Sequence, residues 1–204
     1  MKNVYRLNFS KYGALILFFG CLFIQGSGQS KKIKQSENFK EQTSFSSEEK
    51  ISNAVKLPPN ILKQLARYDD GQLEKCQQDK LTRKRNAAAH FAASKINLND
   101  DKQSDFIVQA QTLCFMGAHN TTFWIFTDSK SKSAEKYQLT FDIAVDFLKI
   151  LNTSTKGFRD IETASHTAVE LYTINWKYDG EKYRQNECTV TDENDKVTKV
   201  ECHP

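Results

Sequence analysis

The chain has 204 residues, 39% of them hydrophobic, 11% aromatic and 26% charged, with 8 Gly and 3 Pro. That balance excludes a collagen, a long coiled coil and a wholly disordered chain, because the aromatics suffice for a packed core. Of 29 basic residues against 25 acidic, Lys2, Arg6 and Lys11 fall in the first 28 positions, which hold no acid. The rest is close to neutral, which argues against a nucleic-acid binder and its concentrated basic surface.

In chain order, those three cations precede an apolar run over 12–24, too short for the roughly 20 residues of a membrane-spanning helix. Gly26, Ser27 and Gly28 follow, the small residues a signal peptidase accepts, so residues 1–28 read as a signal peptide with Gln29 as the new N-terminus. The alternative is a lipid anchor on Cys21, for which Gly20 fits but Phe18 and Phe19 do not. Residues 29–56 are rich in Lys, Ser, Gln and Glu, lack hydrophobic periodicity and read as a flexible polar leader.

A single domain is expected over 57–204. Pro58 and Pro59 open a helix with Ile61, Leu62 and Leu65 on one face, ended by Asp69-Asp70-Gly71. Strands are expected over 90–96, 105–114, 123–126, 137–141 and 158–164, and again over 168–177 and from 182 onward. The run 147–151 reads as strand or helix. In the 105–114 segment, Gln109 and Gln111 mark a wetter face. Asp179-Gly180 predicts a type I′ turn, and 193–196 a second turn before a strand from Val197. The expected class is α+β: an antiparallel sheet meander with one or two N-terminal helices packed on it.

Beyond Cys21 the chain carries Cys76, Cys114, Cys188 and Cys202, an even number suited to an oxidising compartment. Four cysteines allow three connectivities. Cys76–Cys114 and Cys188–Cys202 are expected, since each pair lies within one local segment. Cys114 with His119, and Cys202 with His203, lack zinc-site spacing.

Residues 97–105 read Asn-Leu-Asn-Asp-Asp-Lys-Gln-Ser-Asp, followed by Phe106-Ile107-Val108. This resembles the acidic loop of FG-GAP and VCBS-like repeats, which hold calcium between two strands. The resemblance implies Asn97, Asn99, Asp101 and Asp105 as the ligand positions, calcium as the one candidate cofactor and weak affinity. Asn97 stands for the usual Asp, and Lys102 for the usual Gly. More broadly, Gly157-Phe158-Arg159-Asp160-Ile161, Tyr178-Asp179-Gly180-Glu181-Lys182-Tyr183 and Cys188 resemble small exported bacterial domains of uncharacterised function, with such a loop and a short aromatic strand like 123–126. That likeness implies a secreted or periplasmic setting and no activity.

His119, beside Asn120, and His166 fall in loops between predicted strands, where an imidazole suits acid–base work. No G-x-S-x-G, H-E-x-x-H or P-loop is present. The sequence therefore points to an exported, non-enzymatic binding domain for an envelope or extracellular protein or glycan. It needs no cofactor, binds no nucleic acid and keeps no membrane helix once the signal is removed. The alternative is a small secreted hydrolase using His119 or His166.

Overall fold

A computed structural model describes residues 41–78, 86–129 and 136–202. The expected signal peptide, Cys21 and the first part of the expected polar leader lie outside the described residues. In chain order the elements are β1 (Ser44–Ser46), α1 (Pro59–Arg67), α2 (Gln72–Gln78), β2 (Phe91–Ile96), β3 (Asp105–Ala110), β4 (Thr121–Asp128) and β5 (Tyr137–Val145). They continue as β6 (Phe147–Thr155), β7 (Phe158–His166), β8 (Leu171–Tyr178), β9 (Tyr183–Thr191) and β10 (Val197–Val200).

The strands form two antiparallel sheets, one of order β2-β3-β4-β5 and one of order β1-β6-β7-β8-β9-β10. The α+β expectation is corrected by this: about half of the described residues are strand, against two short helices, and the class is mainly β. A single meander is corrected as well. Every hairpin signal from β2 to β10 is local, and a local signal cannot report which sheet a strand joins. The change of sheet falls at Asp146, the lone residue between β5 and β6, whose N–H donates to Ala164 O (3.1 Å).

The four-stranded sheet lies between two apolar layers. Ile107, Phe123, Ile125 and Phe141 on one face pack with Leu148, Ile161 and Trp176 of the larger sheet. Phe91, Val108, Trp124 and Phe126 on the other pack with Ile61 and Leu65 of α1 and Leu73 of α2. That is why Phe106-Ile107-Val108 and Phe123-Trp124-Ile125-Phe126 are unbroken apolar runs: both faces of β3 and β4 are covered. Ile61 and Leu65, one helical turn apart, are the buried residues of α1, as the spacing predicts.

Order also reaches further back than Leu57. Within the segment read as leader, Phe45 and Ile51 are buried, and β1 pairs with β6. Gln109, expected on a wetter face, is buried; its amide donates to Ser46 O (2.7 Å) and Glu49 O (3.2 Å). The Val55 N–H donates to Ala93 O (2.8 Å), covering the outer edge of β2. Two apolar anchors and a few long-range hydrogen bonds leave no periodicity for sequence reading to detect.

Two turns position the outer strands. Lys156 and Gly157 both have positive φ (50° and 81°), the geometry of a two-residue hairpin between β6 and β7. The Asp179-Gly180 turn is wider than the type I′ turn expected. Tyr178 pairs with Tyr183 across four residues, and Asp179 Oδ1 accepts from the N–H groups of Glu181 (2.8 Å) and Lys182 (2.9 Å).

Candidate functional site

The 97–105 loop closes on its own backbone. Asn97 Oδ1 accepts from Asp100 N–H (2.9 Å), Asn99 Oδ1 from Asp101 N–H (3.3 Å) and Asp101 Oδ1 from Gln103 N–H (2.9 Å). Asp100 and Lys102 take positive φ of 54° and 65°, so Lys102 adopts the backbone that a Gly would supply at less cost. Asp105 is fully buried and spends both oxygens on backbone amides, Oδ2 on Leu98 (3.0 Å) and Oδ1 on Asp128 (3.0 Å). Burial pushes its carboxyl up to about 6, against the lowering effect of those two amides. Tested for calcium, the loop offers one acidic brace turned inward and a ladder of side-chain oxygens facing its own amides. Among the described residues no group of three or more His, Cys, Asp or Glu gathers around a common point. The set fits a self-closed turn better than a cation cage.

The His119 loop and His166, which is the last residue of β7 and not a loop residue as expected, meet at one end of the molecule. Ser47 joins them: its N–H donates to Asp146 O (2.7 Å) and its Oγ to His119 O (2.8 Å). The His119 side chain is exposed and makes no hydrogen bond among the described residues. Asp146 Oδ2 accepts from the His166 N–H (2.7 Å) and lies 3.3 Å from His166 Nδ1. A His–Asp contact therefore exists, but the same carboxylate oxygen also holds the backbone of the β7 terminus. His90 is buried against Thr112 (3.2 Å), immediately before β2 begins.

Cys76–Cys114 ties α2 to the turn that follows β3, with Cα atoms 5.6 Å apart. Cys188–Cys202 ties the chain beyond β10 back to β9, with Cα atoms 5.3 Å apart. Both pairings are those expected, and they fit an oxidising environment. Among the described residues no helix is long and apolar enough to cross a membrane. Arg159 is structural, reaching Glu41 Oε2 (2.7 Å) and Leu151 O (2.8 Å). Most of the strand aromatics are core: Phe123, Trp124, Phe126, Phe141, Trp176 and Tyr183 are all buried.

Two clefts flank β5, the outer strand of the four-stranded sheet. On its sheet-facing side a cleft of about 570 Å³ runs over Phe141, Trp176 and Tyr183, with Lys182 and Arg184 at its rim. On its helix-facing side a second cleft of about 500 Å³ is lined by Tyr68, Phe115, Met116 and Asn120. Asp142 borders both, and Tyr68 Oη donates to its Oδ2 (2.6 Å). At the rim, Arg184 Nε donates to Asp179 Oδ2 (2.9 Å), while Lys182 makes no ion pair among the described residues. The Lys182 amide, the Arg184 guanidinium and the Glu181 amide hold the Asp179 carboxyl well below the usual range. Beyond β5, the face of the larger sheet continues into a hollow of about 330 Å³ lined by Tyr172, Ile174, Val190 and Val200. Sequence reading missed this margin because it arises from unequal sheet widths. Its one local trace is Asp142, a lone charge within an otherwise uncharged strand.

A scan against protein-family models and searches of curated proteins and solved structures find no match.

Proposed function

We propose that the chain is an exported binding domain that holds a partner from the cell envelope or its surroundings along β5. One observation carries the reading: β5 is a nine-residue outer strand with a cleft on each face. The other sheet margins are poorer candidates. β2 is bridged by Val55, β1 has three residues, and β10 has four with Lys199 among them, a charge that discourages edge pairing. Export is supported by the two disulfides and by the charged-then-apolar N-terminus.

The test is a photo-crosslinking residue placed at Ala144 on β5, with Glu162 on β7 as control, in chain secreted by its native host. Adducts from position 144 and none from 162 are expected. Adducts from 162 alone, or from neither, overturn the reading. The hydrolase alternative has one observation of its own, the His166–Asp146 contact. It requires ester or amide hydrolysis that disappears in His166→Ala. The binding reading is preferred because Asp146 already serves as a backbone brace.

A further inference from the structure

We infer that the partner is held as an extended polypeptide segment that adds to β5 as a fifth strand of the four-stranded sheet; this rests on the binding reading above. The segment's chemistry is alternating apolar residues with a carboxylate at the end nearest Lys182 and Arg184.

The first argument is the edge itself. Among the described residues no strand pairs with the outer side of β5, so its backbone N–H and C=O groups on that side present a template for another chain. A bulge places Thr140 out of register, where it is buried with its Oγ1 donating to Ile125 O (3.3 Å). From Phe141 to Val145 the register is regular, which leaves five consecutive residues for pairing.

The second argument is the mismatch between sheets. Phe141 stands on Trp176 and Tyr183 of β8 and β9, with ring centroids 5.0 and 5.8 Å away, whereas Val145 leads through Asp146 into β6. β5 thus crosses the larger sheet obliquely, from β9 at one end to β6 at the other. Strand register places Tyr172 and Ile174 on the same face as buried Trp176, with Val190, Cys188 and Val200 alongside. That face is covered as far as β5 and uncovered past it, where Tyr172 is 41% and Val200 38% exposed. A strand paired with β5 lies about 4.8 Å further out, over this uncovered portion.

The third argument is side-chain alternation. An added strand directs successive residues to opposite faces, and each face of β5 has a cleft to receive them. The sheet-facing residues meet aromatic and aliphatic surface. At the end bordered by Lys182, an acid finds a cation that makes no ion pair among the described residues.

The experiment selects a displayed library of random decapeptides against the full oxidised chain. Enriched peptides are expected to alternate apolar residues with an acid at one end and to slow amide hydrogen exchange at 141–145. N-methylation of the peptide amides that face β5 is expected to weaken binding more than tenfold. Selection on Lys182→Glu, an exposed position, is expected to replace the acid by a base. Enriched peptides that survive N-methylation, or protect β2 or β10 instead, overturn strand addition, as does a library without binders. If crosslinks at position 144 persist while these results fail, the binding reading stands and strand addition falls.

Discussion

Asp105 shows how one buried carboxylate substitutes for regular structure. Its two oxygens join the start of the acidic loop at Leu98 to the end of β4 at Asp128. Burial raises its carboxyl to about 6 from 3.8, so between those values the folded chain holds more protons at this site than the unfolded chain does. Its stability contribution is fully present below pH 4 and is lost as pH rises through 6, a change of about 3 kcal/mol at 1.36 kcal/mol per unit. Urea unfolding of the wild type and Asp105→Asn should show the wild-type advantage greatest near pH 4 and smaller by pH 7.5. A constant difference would refute this. Gln109 makes the converse point about reading a sequence. Alternation marked it as solvent-facing, yet the groups it serves, Ser46 O and Glu49 O, lie about 60 residues away in the chain. Gln109→Leu should cost about 1 kcal/mol through the two lost hydrogen bonds to Ser46 and Glu49, and limited proteolysis should then cut within 41–56 faster than in the wild type.

At the level of elements, the loops and bridges carry separable roles. The 97–105 turn is closed by Asn97, Asn99 and Asp101 on neighbouring amides, so its shape is complete from the chain's own atoms. Millimolar calcium and chelator should therefore give superimposable melting curves for the wild type. A rise in Tm with calcium that Asp105→Asn abolishes would restore the ion to the loop. The C-terminal bridge spans a sequence separation of 14 and holds a strand whose four residues are all exposed. Its removal in a Cys188→Ser, Cys202→Ser double variant should cost about 3 kcal/mol on the loop-closure model. Amide exchange should accelerate first in β10. The bridge was legible because the cysteines flank a short hairpin. The four-residue turn at Asp179 was not, since Asp-Gly fits a tighter turn equally well until the Asp179 side chain is seen capping two amides.

Across the whole molecule, the sequence was most informative where a segment's pattern depends on its own burial. Helix α1, the strands β2 to β5 and β7 to β10, and both disulfides were all accessible in that way. The run 147–151, undecided between strand and helix, became strand β6 because it pairs with β7 on one side and β1 on the other. Sheet membership was not accessible: Asp146 ends one sheet and starts the next with no Gly, Pro or change of composition. The margin at β5 was hidden for the same reason, because an edge is defined by the strand that is missing beside it. The meeting of His119 and His166 is another feature that no local pattern reports. They come to one end of the molecule through Ser47, a residue assigned to the leader rather than to the fold.

The placement of β1 also has a mechanical meaning. If the chain is tethered through the segment preceding residue 41, traction enters at Glu41, where the Arg159 guanidinium and the Asn97 amide grip the carboxylate. Behind that clasp only three residues are zipped to β6. Load therefore enters at the rim of the larger sheet, and the next residue it meets there is Phe45, whose ring is seated in the core between the sheets against Phe123. The clasp at Glu41 thus works as a latch in front of a core residue: while it holds, pull on the segment before residue 41 does not reach Phe45.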